Sequence, residues 1–265
     1  MTTPAPGTVE LVDPQARQFY VAALEALNAA KLPYLVGGAY AFARYTGIER
    51  HTKDLDLFAR REDARGILAA LASAGYQGDM TFPHWLGKAF HGEYFIDVIF
   101  SAGNNVAQVD DRWFEHATDE VVLGVPVKLI PPEEMLWSKG YIMERERFDG
   151  ADIAHVLRAC AERLDWDRLL DRFDAHWQVL LSHLVLFGFI YPGERDRIPA
   201  RVMQHLLARL AAPAATDRVC QGTLLSRQQY LTDIGRWQYA DARLVQGHMS
   251  PEDIAHWTAA IEAQH

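Results

Sequence analysis

The stretch VGGAYAFARYTGIERHTKDLDLF, residues 36–58, together with the later run YFIDVIF, residues 94–100, decides how this chain is read. Tyr34-Leu35-Val36 is a short run of strand formers that stops at Gly37-Gly38. Residues 39–45 then have the alanine and aromatic content of a short helix, closed by Gly47. The unit is strand, glycine turn, helix. Asp54-Leu55-Asp56-Leu57-Phe58 alternates carboxylate with apolar residue, the period of a strand whose two faces see different surroundings. In Tyr94-Phe95-Ile96-Asp97-Val98-Ile99-Phe100 nearly every residue is β-branched or aromatic, and one acid sits in the middle.

The period of two puts Asp54 and Asp56 on one face of their strand while Leu55 and Leu57 point into the core. Two carboxylates a few ångströms apart repel by roughly 4 kcal/mol at an effective dielectric near 20, so the surroundings must supply either a proton or a cation. A third acid on a neighbouring strand, Asp97, sharpens the conflict. Hard divalent ions such as Mg²⁺ resolve it, since they prefer carboxylate oxygen together with phosphate oxygen. A glycine pair before a helix lets the backbone come close to a ligand, and the free N–H groups of the helix start suit a phosphate. Taken singly, each motif has a plainer reading: a tight turn for Gly37-Gly38 and a solvated strand end for Asp54-x-Asp56.

Working outward, helices are predicted over residues 14–30 and 62–74, a strand pair over 76–81 and 85–91, and two short strands over 121–130 around Gly124-Val125-Pro126. Pro131-Pro132-Glu133-Glu134 opens a helix with proline and acids in its first turn. Beyond it the pattern is almost purely helical: 133–147, 151–164, 166–190, 199–210, 228–243 and 252–263. The apolar stretch 179–191 is interrupted by Ser182, His183 and Gly188, too short to cross a bilayer comfortably, and reads as a buried core helix. His176 and His183, without nearby acids, read as packed or surface histidines.

With 265 residues, 49% of them hydrophobic and 23% charged, the chain is long enough for one large or two smaller globular domains. Its 35 acidic against 26 basic residues, a net charge of −9, argue against general polyanion binding. Cys160 and Cys220 form no metal or disulfide pattern, which fits a reducing cytoplasm. The start, MTTPAPGTVELVD, lacks the basic and apolar regions of a secretory signal, and no membrane association is expected. No Gly-x-Ser-x-Gly elbow, Walker-type loop, HExxH or dinucleotide fingerprint occurs.

The glycine pair, the Asp-x-Asp strand and the third acid together resemble the nucleotidyltransferase fold of the DNA polymerase β superfamily, most closely its minimal and AbiEii-like bacterial branches. There the acids are commonly preceded by Arg-x-Thr/Ser-x-Asp, matched here by Arg50, Thr52 and Asp54. The resemblance covers residues 33–100. It implies an α/β (α+β) domain with a mixed sheet over residues 1–130 and an all-α domain over 131–265. It also implies Gly37 and Gly38 at the nucleotide's phosphates, Asp54, Asp56 and Asp97 as catalytic ligands of two Mg²⁺ ions, and a nucleoside triphosphate as co-substrate. Arg50 and Thr52 would join the nucleotide site, although Thr52 also reads as a turn cap and Arg50 as a surface residue. Lys139 leading to Arg145, Arg147, Asp149 and Asp152 resembles the family's Lys, Arg, Asp-x-x-Asp pattern, in which the lysine meets the triphosphate; a solvated Lys139 and helix-capping Asp149 or Asp152 are the alternatives.

The activity so implied is transfer of a nucleoside monophosphate to a hydroxyl with release of pyrophosphate. The acceptor would be RNA such as tRNA, a protein, or a small molecule such as an aminoglycoside. A catalytically silent nucleotide-binding module, or a toxin held down by an antitoxin partner, are the other expectations.

Overall fold

A computed structural model describes residues 14–50, 52, 54–213 and 216–260. Helix α1 (Pro14–Ala29) leads to β1 (Leu35–Val36), α2 (Gly38–Thr46), β2 (Asp54–Phe58), α3 (Arg61–Ser73) and the strands β3 (Gln77–Phe82), β4 (Leu86–His91) and β5 (Tyr94–Ile99). A short helix α4 (Asp111–Glu115), which the sequence pattern does not announce, precedes the hairpin β6 (Thr118–Val122) and β7 (Val125–Leu129). These seven strands form one sheet in the order β3-β4-β5-β2-β1-β7-β6. It is mixed: β2 runs parallel to β5 and β1 parallel to β7, while the other neighbours are antiparallel.

The alternation in β2 comes out as expected. Leu55 and Leu57 are fully buried, as are Ile96 and Val98 opposite them on β5. They belong to the same core cluster as Leu24 and Leu27 of α1 and Ile67 and Leu71 of α3. Burying each such side chain contributes about 1.5–3 kcal/mol, which holds the strand in the one register that turns Asp54 and Asp56 away from the core. Helix α2 stops where Gly47 takes a left-handed conformation (φ 71°) and its N–H reaches the Ala43 carbonyl at 2.8 Å.

Beyond Pro131 come α5 (Pro132–Gly140), α6 (Gly150–Cys160), α7 (Trp166–Phe173), α8 (Trp177–Ile190), α9 (Ala200–Ala211), β8 (Val219–Cys220), α10 (Leu231–Gly235), β9 (Ala240–Asp241), α11 (Ala242–Val245) and α12 (Pro251–Ala259). The expected helix over 133–147 ends at Gly140. The chain then turns back on itself through a Met143–Phe148 bridge, and Arg227 and Ser226 grip the Glu144 carboxylate at 2.9 and 2.7 Å. The single helix expected over 166–190 is broken by a 3₁₀ turn at Asp174–His176, so α7 and α8 are separate. Instead of a helix over 228–243 there are the short α10, the strand β9, which pairs in parallel with β8, and the start of α11. The end of the helix expected over 252–263 lies outside the described residues.

One face of α8 corrects the reading of a wholly buried helix. Leu180, Leu181, Leu184 and Phe187 are buried, but Val185, Leu186, Phe189 and Ile190 are exposed, Phe189 at 80%. His183 is buried with its Nε2 on the Gly140 carbonyl at 2.9 Å, and His176 lies between the Tyr141 hydroxyl and Gln246, so both are packing histidines.

A chain of ion pairs, buried except at Asp110, ties α5 and α7 to the segment before α4. Glu133 and Glu134, expected only as first-turn acids of α5, are buried and held by two arginines of α7. Arg168 lies 2.6 Å from each carboxylate, and Arg172 bonds Glu134 at 3.1 Å while also pairing with Asp110, just before α4, at 2.6 Å.

Candidate active site

Asp54 and Asp56 leave β2 on the face opposite Leu55 and Leu57, and β5 lies beside β2 with Asp97 in register with Asp56. Because the pairing is parallel and the strands are adjacent, all three acids share a face. One oxygen from each lies within 4.8 Å of the others.

Such crowding shows in the acidities. Burial pushes the Asp56 carboxyl up to about 7, with Asp54 and Asp97 adding to the effect and the more remote charges of Lys139 and Arg147 opposing it. Asp97 is also raised, by burial first and by Asp54, while Lys88 pulls the other way. Asp54 has a different anchor: the buried Thr52 hydroxyl donates to its Oδ1 at 2.6 Å. Thr52 is thus turned toward the acids.

Gly37 and Gly38 sit against the same cluster. The Gly37 N–H donates to the Asp56 carbonyl at 2.9 Å, which sets the turn directly over β2. Gly38 begins α2 at φ 53°, in the left-handed region, and a Cβ there would fall on the Asp56 carboxylate. A Cβ on Gly37 would strike the Phe58 ring. Neither position tolerates a side chain, and the start of α2 lies against the Asp56 carboxylate.

On another side stands a knot of charge built from α5, α6 and the turn between them. Lys139 Nζ lies 2.6 Å from Asp149 and 2.9 Å from Asp152. Arg147 forks onto Asp149 through Nε at 2.8 Å and a terminal nitrogen at 2.9 Å. Arg50 pairs with Asp152 at 2.5 Å and lies over the Phe42 ring, 4.3 Å from its centroid. The structure therefore gathers Arg50 and Lys139 around one carboxylate, and Asp149 and Asp152 act as their anchors. Lys139 and Arg147 both act electrostatically on Asp56, whereas Arg50 reaches the group through Asp152.

Sequence reading overlooked Lys88. Its ammonium lies 2.6 Å from Asp97 Oδ1 and 4.2 Å from the Phe95 ring centroid, both half-buried beside the trio. Only the pairing of β4 with β5, which sets Lys88 opposite Asp97, reveals it.

Residues 15–186 match the family described as uncharacterised nucleotidyltransferase, and the protein belongs to that family. No curated protein matches. Among solved structures, the antibiotic-resistance factor ANT(2'')-Ia is similar at 19% identity, over 64% of this chain and 97% of that one, with a TM-score of 0.45. The lincomycin-bound lincosamide antibiotic adenylyltransferase LnuA is similar at 19% identity over 55% and 96% of the two chains (TM-score 0.39). An antigenic nucleotidyltransferase-like protein from Paracoccidioides brasiliensis is similar at 17% identity over 73% and 98% (TM-score 0.49).

Proposed function

We propose that the protein transfers a nucleoside monophosphate from a nucleoside triphosphate to a hydroxyl acceptor, releasing pyrophosphate, with a divalent cation held by Asp54, Asp56 and Asp97. The observation that carries this reading is the convergence of three carboxylates beside a glycine turn that has no room for a side chain. Carboxylate oxygens packed this closely are the donor set of a hard cation, and burial together with the charges of Asp54 and Asp97 pushes the Asp56 carboxyl up to about 7. When bound, such an ion neutralises charge on the phosphate oxygens during in-line displacement.

The chain's own residues divide the remaining work. The N–H groups at the start of α2 approach the phosphates, since Gly38 keeps the backbone bare there. Lys139 and Arg147 supply positive charge for the triphosphate, and Asp149 and Asp152 hold them in place. Asp97 accepts the proton of the attacking hydroxyl, and Thr52 fixes the orientation of the Asp54 carboxylate. Phosphoryl chemistry asks mainly for this alignment and charge neutralisation. The helical residues from 131 onward are the part of the chain proposed to select the acceptor.

The test is incubation of the protein with each of the four α-labelled nucleoside triphosphates and Mg²⁺ against total RNA, lysate protein and a panel of hydroxylated small molecules including aminoglycosides. Transfer of label by the parent chain but not by Asp56→Asn supports the reading. Binding of triphosphate without transfer to any of these acceptors favours a silent nucleotide-binding module instead.

A further inference from the structure

Arg147 stands between two acids, and only one of them has it. Residues 142–149 form a small hairpin. Met143 bridges Phe148, the Glu144 N–H donates to the Arg147 carbonyl at 2.8 Å, and the Asp149 N–H donates to the Ile142 carbonyl at 3.2 Å. This register sets Glu144 directly across from Arg147, with Asp149 two positions further on, so the three side chains leave the ribbon on one face. The fork of Arg147 onto Asp149, at 2.8 and 2.9 Å, agrees with that placement. An acid and a base opposed on such a ribbon attract one another, which gives Arg147 a second carboxylate to turn to.

Glu144 is withheld from it by Ser226 and Arg227, 82 and 83 residues further along the chain. Its Oε2 accepts from the Ser226 hydroxyl at 2.7 Å and from the Arg227 N–H at 3.1 Å, and its Oε1 accepts from Arg227 Nε at 2.9 Å. These three donors close over a side chain that is 10% exposed. They are fixed in turn. The Met143 N–H donates to the Leu225 carbonyl at 3.2 Å, and the buried Arg243 reaches the Arg227 carbonyl at 3.3 Å. Arg147, on the other side, is tied electrically to the site: Asp149 holds its guanidinium above the ordinary value, and Asp56 and Asp152 add to this.

We infer that Ser226 and Arg227 are positioning residues for the nucleotide site: by occupying the Glu144 carboxylate they keep Arg147 on Asp149 and available to the triphosphate. The inference rests on the transferase reading above and deepens it, because it gives the C-terminal part of the chain a share in nucleotide binding. An unclasped Glu144 competes with Asp149 for the one guanidinium, and Asp149 already divides its charge between Arg147 and Lys139. Arg147 drawn across to Glu144 is lost to the phosphates.

Calorimetric titration with the Mg²⁺ complexes of the four α,β-methylene nucleoside triphosphates tests this, the tightest-bound of the four serving as probe for the variants. Arg227→Met should weaken binding by about tenfold, the loss of one charged contact. Glu144→Gln should bind no more weakly than the parent, although it breaks the same ion pair, because a neutral amide does not draw Arg147 away. Arg227→Met combined with Glu144→Gln should return to within about twofold of the parent. A clasp that merely holds the hairpin in shape would instead weaken all three. Unchanged binding in Arg227→Met, weakened binding in Glu144→Gln, or a double variant as weak as Arg227→Met would each overturn the inference and leave the transferase reading standing. No binding of any of the four by the parent protein would overturn both. Should Arg227→Met not fold, Ser226→Ala, which removes another donor from the same carboxylate, takes its place with a weakening of about threefold and the same rescue. Should neither fold, Glu144→Gln decides, parent affinity supporting the inference and weakened binding refuting it.

Discussion

The carboxylate of Asp56 occupies the space that a side chain on Gly38 would need: a methyl group there would lie on its Oδ2. The backbone at Gly38 also has φ 53°, a conformation that side chains other than glycine disfavour.

Gly38→Ala should therefore fail twice, by strain and by displacing Asp56. Strain at a left-handed position costs about 1–3 kcal/mol. A drop in melting temperature of several degrees is expected, together with loss of label transfer even at temperatures where the chain is folded. Gly47→Ala shares the left-handed strain but meets no neighbour within 4 Å, so it should lose stability and keep transfer. Wild-type transfer rates in folded Gly38→Ala would exclude the close packing of turn and carboxylate as a requirement.

Asp56→Asn should abolish transfer, with a fall of about 10³-fold or more, as for other groups that stabilise transition-state charge. Its effect on the ion-free fold should depend on pH. The folded-state value near 7 lies above the ordinary 3.8, so between these limits the folded chain holds a proton that the unfolded chain has released. The contribution of Asp56 to stability therefore falls as pH rises through that window and is most unfavourable above about 7. In EDTA, melting curves of parent and variant should coincide well below the ordinary 3.8, with the variant several degrees more stable by pH 8. A difference that does not change with pH would show that neither burial nor the neighbouring acids raise the Asp56 carboxyl.

Lys139→Met removes one partner each from Asp149 and Asp152, but leaves Arg147 on the first and Arg50 on the second. The fold should lose only about 1–2 kcal/mol. The KM for the triphosphate should rise by about tenfold or more, each tenfold corresponding to about 1.4 kcal/mol of lost binding. An unchanged KM measured at saturating acceptor would assign Lys139 to the fold alone.

Arg168→Met serves as the contrast. It takes the arginine from Glu133 and leaves Glu134 with Arg172 alone; both acids are buried, the latter with no exposed surface. Removing one partner from a buried ion pair costs about 3–5 kcal/mol, so chemical denaturation should show a large loss. The rate of transfer per folded molecule should stay within about twofold of the parent, since none of these groups faces the trio.

Much of this was legible because it depends on period and punctuation. Asp54 and Asp56 alternate with buried leucines, Gly37-Gly38 stops a strand, and Asp97 interrupts an apolar run, so each local motif could be read within a few residues. What escaped depends on partners remote in sequence. Lys88 is an unremarked lysine until β4 pairs with β5. Glu133 and Glu134 look like solvated helix-start acids until α7 brings two arginines to them. The helix after Pro132 had no internal stop signal stronger than Gly140, and the turn that follows it is held at Glu144 by Arg227 and Ser226, more than eighty residues away in the chain. The break at Asp174 likewise interrupts a stretch whose composition is continuous.

The parallel alignment of β2 with β5 has a bearing on when the protein becomes competent. Parallel neighbours cannot be joined by a hairpin, so α3, β3 and β4 must all be laid down before Asp97 can come to rest against Asp56. A ribosome-bound chain that ends before residue 94 carries Asp54, Asp56 and the glycine turn, yet has no third carboxylate to complete the cage. On the proposed assignment a nascent fragment therefore lacks one of the three ligands, and the cluster is complete only once β5 has joined the sheet beside β2.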